Sequence, residues 1–156
     1  MKKVFPLVLL LTTLTYCMKA QNSQGEKTFN EKADKCLEII EKAAEKKSIK
    51  GVAIIAYIPG ESTESWVSKM KVVGNLTKDQ LNLLGIAYAK AAEMATTYKD
   101  SGSGTRDKMI GEVGWQGGAI RKVSSGYILA AFSGGESMED LNVSNQGLDW
   151  LSTFYK

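Results

Sequence analysis

The sequence predicts a single α+β domain in which an antiparallel sheet is packed by helices. Residues 52–58 (Val-Ala-Ile-Ile-Ala-Tyr-Ile) are apolar at every position, the pattern of a strand buried from both sides. Further β-rich runs fall at 66–73, 119–123 and 127–132, separated by turn-forming residues. Helical periodicity precedes, divides and follows these runs, in an order too irregular for a doubly wound sheet.

The elements follow in order. Residues 21–27 read as a flexible leader. Thr28 and Glu31 then form a capping-box pattern, in which hydroxyl and carboxylate satisfy free backbone amides. The helix they open reaches about Lys47, with Ala33, Cys36, Leu37, Ile40 and Ala44 as its apolar stripe and Glu38, Glu41, Lys42, Glu45 and Lys46 outside. Ile49-Lys50-Gly51 closes it. The strand at 52–58 is broken by Pro59-Gly60, and the run at 66–73 pairs with it across a polar loop.

A second helix is expected to start at Thr77 or Asp79, with Leu81, Leu84, Tyr88, Ala91, Ala95 and Tyr98 at helical spacing. Residues 100–104 are a loop, and the segment from there to Gly118 has no clear period. The strands at 119–123 and 127–132 join at Ser124-Ser125-Gly126, a tight-turn composition. Gly134-Gly135 leads into the last helix, where Ser137 and Asp140 repeat the capping-box pattern. Its inner face is Leu141, Leu148, Leu151 and Tyr155.

The start of the chain has a different character. Met1-Lys2-Lys3 is basic, Val4 to Leu14 is largely apolar, and Ala20 precedes the polar Gln21-Asn22-Ser23. This is the order of a secretory signal peptide, residues 1–20, cut between Ala20 and Gln21. It implies export to the periplasm or the extracellular space. An alternative is acylation at Cys17 and a lipid anchor, although Tyr16 is larger than the residue usual before such a cysteine. No run spans a bilayer, which needs about 20 apolar residues.

The cut removes Lys2, Lys3 and Lys19 and no acid. The net charge of +3, from 20 basic and 17 acidic residues, becomes formally zero. A neutral surface argues against nucleic acid as partner. Cys36 is then the one cysteine left, so no internal disulfide can form; on an apolar stripe it reads as a small hydrophobe, with a metal thiolate or an intermolecular bridge as alternatives.

The chain contains no histidine. That excludes Ser-His-Asp and Cys-His catalysis, imidazole bases and most zinc sites, and it removes the commonest ligand to haem iron. The cluster Glu136, Glu139, Asp140 suits a first helical turn as well as a metal site. Gly102, Gly104 and Thr105-Arg106 lack P-loop spacing. Trp66, Trp115 and Trp150 read as packing residues. No catalytic residues or metal ligands are assigned, and a non-enzymatic role is expected.

Gly117-Gly118-Ala119-Ile120, the run from Ser125 to Gly135, the pair Glu139-Asp140 and Gln146-Gly147-Leu148 resemble the C-terminal signature of the GlcG/HbpS family of haem-binding proteins. That signature is roughly GG-x-P-I, a D-G turn, G-A-I-G-V-S-G and an E-D or Q-D pair. Ala87-Tyr88-Ala89-Lys90-Ala91 is similar to the family's A-x-x-K-A helix motif, and residues 52–57 to its first strand. The likeness covers about residues 30–153. Ala119, Ala130 and Phe132 depart from the family's proline, glycine and valine, and Ser125 stands in place of the turn aspartate.

The resemblance implies a profilin-like, GlcG/HbpS-type domain over residues 28–156, haem as ligand, and a homo-oligomer. Without histidine, iron would fall to Tyr57, Met70, Tyr88, Met94, Tyr98 or Cys36, or the porphyrin would be held by apolar contact alone. Gly134 and Gly135 would let backbone approach the ligand. The functional expectation is an exported small-molecule binder, with haem sensing, scavenging or storage as its role. The alternative is a structural or accessory module that has lost its ligand.

Overall fold

The computed structural model describes residues 5–155, with side chains from residue 24 onward. The cut after Ala20 and the acylation alternative at Cys17 therefore lie outside the described side chains. Three helices, α1 (Phe5–Lys46), α2 (Leu83–Thr97) and α3 (Ser137–Ser152), surround six strands: β1 (Gly51–Pro59), β2 (Val67–Val73), β3 (Thr77–Lys78), β4 (Leu81–Asn82), β5 (Gly118–Val123) and β6 (Gly126–Ser133). Four strands form one antiparallel sheet in the order β2-β1-β6-β5, and β3 and β4 make a separate small hairpin. The class is α+β, as expected.

Alternation along β1 explains the layering. Ala53, Ile55 and Tyr57 face a core shared with α1 and α3, including Phe29, Ile40, Phe132, Val143 and Leu148. Val52, Ile54, Ala56 and Ile58 face a second core under α2, with Leu83, Ala87, Ala91, Met94, Leu129 and Ala131. A strand covered on both faces has no position left for a polar side chain, so its sequence is continuously apolar.

The leader expected at 21–27 is instead helical, because α1 runs through it. Gly25 is buried beneath Tyr57 and Ser125, and its carbonyl accepts the Tyr155 hydroxyl at 3.1 Å. Thr28 Oγ1 donates to Gln24 O at 3.0 Å, a mid-helix bond rather than a cap. Tertiary contacts from the open end of the sheet thus hold a polar stretch that local composition leaves loose.

The second helix starts later than its periodicity suggests. Asp79 and Gln80 both have positive φ, 48° and 66°, and turn β3 into β4. Asn82 caps α2 by accepting the Gly85 N–H at 2.9 Å. Leu81 is therefore outside the helix and exposed, while Leu83, Ala87, Ala91 and Met94 form the buried stripe. At α3 the cap is Glu136, whose N–H donates to Glu139 Oε2 at 3.3 Å; Asp140 turns inward.

Two expected outcomes test this core. Ile54→Asp should leave the domain unfolded by circular dichroism, because an unpaired buried carboxylate costs several kcal/mol, on the order of the whole folding stability; a cooperative melt at the wild-type temperature would refute the assignment. Cys36 is fully buried, and burial pushes its thiol up to about 12. It should resist thiol reagents in the native protein and react once the chain is unfolded in urea.

Candidate functional site

The residues expected around a ligand do not converge. Tyr57 points into the α1–α3 core, where its hydroxyl donates to Ser125 O at 2.8 Å and its ring stacks between Phe29 and Tyr155. Burial raises its phenol pKa, so it stays a protonated donor. Met94 lies on the opposite face of the sheet, fully buried beneath α2. Tyr88 and Tyr98 flank that same core; Tyr98 Oη accepts the Thr63 N–H at 2.8 Å and its ring lies 4.7 Å from that of Tyr127. Met70 pairs with Ile54, which puts it on the α2 side of β2. Strand alternation therefore separates Tyr57 from the other four, and these five side chains do not surround one macrocycle.

Gly134 and Gly135 are at the other end of the sheet from Tyr57, about 20 Å away at the usual rise per residue. A Cβ on Gly134 would collide with the Lys50 carbonyl, so this glycine is required by the approach of the β6–α3 connection to the start of β1.

What the structure does bring together is Lys90 from α2 and Asp140 from α3. Lys90 Nζ donates to Asp140 Oδ2 at 2.9 Å and to Phe132 O at 2.8 Å, with the two side chains only 2% and 3% exposed. Asp140 Oδ1 accepts the Gly135 N–H at 2.8 Å. Burial dominates both titrations, lowering the Lys90 pKa and raising that of Asp140, while the opposite charge beside each works against it. Gly117, at φ 135°, passes so close to Nζ that a Cβ there would strike it; its carbonyl accepts Ser144 Oγ at 2.7 Å and Phe132 N–H at 3.0 Å.

This pair forms the floor of a cleft of about 190 Å³ between α2, the β3–β4 hairpin and the β6–α3 connection. Lys78 bridges its side by donating to Gly134 O at 3.2 Å. Leu81, Ile86 and Trp115 also line an adjoining groove of about 350 Å³, so the two spaces form one trough. Trp115 is 45% exposed and stands as its outer wall.

The loop that carries Trp115 is pinned. Arg106 holds Glu112 through two bonds of 2.7 and 2.6 Å, Glu112 also accepts the Met109 N–H, and Arg106 reaches Thr96 Oγ1 at 3.0 Å. Arg106 is thus committed to Glu112 within its own loop. Glu93, at the base, accepts the Gly102 N–H at 2.9 Å. Among the described residues no group of three or more Cys, Asp or Glu side chains is placed to hold a metal ion: Glu136 and Glu139 belong to the start of α3 and Asp140 to Lys90. Trp150 packs against Phe154, and Trp66 against the α2-side core.

Lys90 and Asp140 both lie within the motifs quoted above, yet neither is among the expected site residues. The available signal was a lysine on the buried stripe, three residues beyond Ala87 and four before Met94, where a charge needs a partner.

The fold and trough define a three-layer α+β domain with an open cleft above a buried ion pair. No protein-family model matches the chain, and no curated protein matches it. The crystal structure of Ybr137w protein superposes with a TM-score of 0.52 at 14% identity, covering 90% of this chain and 95% of that one. Likeness at this identity is one of fold. No helix among the described residues is long and apolar enough to cross a membrane.

Two predictions concern this region. Lys90→Met or Asp140→Asn alone should cost about 3–5 kcal/mol in urea unfolding, since each leaves a buried group unpaired, whereas Lys90→Met with Asp140→Leu should recover most of the loss. A double variant as unstable as the worse single one would show that the pair itself is needed. At Glu112, the Arg106 guanidinium, followed by the Met109 N–H, holds the carboxyl down at about 2 from an ordinary 4.5. The folded value lies below the unfolded one, so the stabilisation is complete above about 4.5 and is lost as pH falls through about 2. Protection of the amides in residues 106–115, relative to their intrinsic exchange at each pH, should fall across that window, and Glu112→Gln should abolish that fall.

Proposed function

We propose that this chain is an exported, non-enzymatic binder of a planar, amphipathic small molecule, seated in the trough above Lys90–Asp140. The observation that carries the reading is the Trp115 indole, half exposed opposite Leu81 and Ile86, with Lys78 and the buried pair at the polar end. An aromatic wall facing aliphatic side chains suits the face of a planar ligand, while a few polar groups orient its edge.

Haem is the ligand that the resemblance to the GlcG/HbpS family implies. None of Tyr57, Met70, Tyr88, Met94 or Tyr98 lines the trough, so these residues do not fit a role as its iron ligands. A haem in this trough is held through its macrocycle. Titrating the full chain with haemin, read by tryptophan fluorescence and by the porphyrin absorption band, tests this. Trp115→Ala should weaken binding by about 10-fold, equivalent to about 1.4 kcal/mol of aromatic contact, and Tyr57→Phe should leave it unchanged. Saturable binding abolished by Tyr57→Phe would overturn the location of the site.

One observation favours the second reading, an accessory module without a ligand. The enclosed part of the trough, about 190 Å³, is smaller than the 300–1,000 Å³ or so usual for ligand pockets. Absence of any spectral change at equimolar haemin, with the protein folded, would select that reading. The homo-oligomer implied by the resemblance belongs to both.

A further inference from the structure

The end of β6 opposite the trough opens into a second pocket, of about 580 Å³, between α1, the β5–β6 turn and the chain after α3. That volume lies within the 300–1,000 Å³ or so usual for small-molecule sites. Its walls include Gln24, Thr28, Ser125, Thr153, Phe154 and Tyr155, and none of the described residues lining it is charged.

The hydroxyls here are mostly committed in one direction. Thr28 Oγ1 donates to Gln24 O at 3.0 Å, Thr153 Oγ1 to Trp150 O at 2.7 Å, and the Tyr155 hydroxyl to Gly25 O at 3.1 Å. A hydroxyl has one proton and two lone pairs, so each of these oxygens has spent its proton within the protein and is left to accept. Ser125 differs. Its backbone carbonyl accepts the Tyr57 hydroxyl at 2.8 Å and the Gly60 N–H at 3.0 Å, but its Oγ is buried with no partner among the described residues. Gly25 makes room for that oxygen, since a Cβ there would lie 2.2 Å from it. An unpaired buried hydroxyl is costly, and a serine side chain turns by rotation about one bond. Phe154 is 40% exposed, and the Lys32 ammonium lies over its ring, 4.8 Å from the centroid.

We propose that this pocket binds a neutral, hydroxyl-rich molecule, a free monosaccharide or the sugar at the end of a glycan. Its C–H groups lie against Phe154, whose π-system attracts polarised hydrogens, and its hydroxyls donate to Thr28, Thr153 and Tyr155. Three acceptors call for a ligand rich in donors. A phosphate or carboxylate brings acceptors only and would meet acceptors. An ammonium brings donors, but no carboxylate among the described residues lines the pocket, and Lys32 already holds the cation position at the Phe154 ring. Sugar hydroxyls both donate and accept, so one of them also takes the unspent Ser125 proton.

Saturation-transfer NMR of the full chain, with glucose, galactose, mannose and N-acetylglucosamine as probes, tests the proposal. At least one should saturate in the millimolar range. Thr153→Val keeps the side chain's shape without its oxygen and should weaken that binding about 5-fold, and Phe154→Ala should weaken it about 10-fold. Both positions are exposed, so both variants should melt as the unmodified chain does. The methyl glycoside of the sugar that binds should bind equally well if a glycan end is the ligand, and poorly if the free sugar is. Trp115→Ala, in the trough, should leave sugar binding unchanged, so this site and the planar-ligand site stand or fall separately. Saturation by none of the four sugars, binding unmoved by both Thr153→Val and Phe154→Ala, or tighter binding of tetramethylammonium at this site would each overturn the proposal.

Discussion

The burial of β1 on both faces is the constraint from which the rest of the molecule follows. Ile54, Ile55, Tyr57 and Ile58 are completely buried, and each such side chain contributes about 1.5–3 kcal/mol by leaving water. That gain requires two covers. The α1–α3 pair supplies one and α2 the other, with β6 alongside β1 sharing both. A sheet of four antiparallel strands has two edges, and these helices do not cover them equally.

The α2 layer and the α1–α3 layer lie on opposite faces of the sheet, and the Lys90–Asp140 pair ties one to the other. Lys90 comes from α2, its carbonyl partner from the end of β6, and Asp140 from α3. Taking both charges out of water is costly, and the attraction between them roughly offsets that cost only when the remaining donors and acceptors are also bonded. Here Phe132 O and Gly135 N–H meet that condition. The pair therefore adds little net stability but fixes how α2 and α3 sit at the end of the sheet where the trough opens. A polar floor beneath an apolar wall is a by-product of this tie.

Much of the fold was legible because it rests on periodicity and turn chemistry. The strand at 52–58, the Ser124-Ser125 turn and the last helix follow from side-chain alternation, glycine placement and helical spacing. The misreadings have two causes. At 21–27, at 77–82 and at Asp140, local composition favoured a leader, a helix start and a capping aspartate. At 21–27 and at Asp140 a distant partner decided otherwise, Tyr155 over Gly25 and Lys90 on α2, while at 77–82 a local two-residue turn between β3 and β4 did.

The candidate site was less legible for a geometric reason. Tyrosine and methionine were singled out by chemistry, as groups able to bind iron, without knowledge of which face of the sheet each would occupy. Positions 54 and 57 on one strand point in opposite directions, so Met70, aligned with Ile54, and Tyr57 are separated by the sheet itself. The residues that do line a common space, Lys78, Leu81, Ile86, Trp115 and Asp140, come from three separate stretches of chain and share no spacing. Glycines at the β6–α3 connection belong to the same neighbourhood, but their absent side chains make room for the Lys50 carbonyl before they make room for any ligand. A binding reading of this domain therefore rests on Trp115 and the pinned loop that presents it, rather than on the iron-binding residue types that chemistry alone would choose.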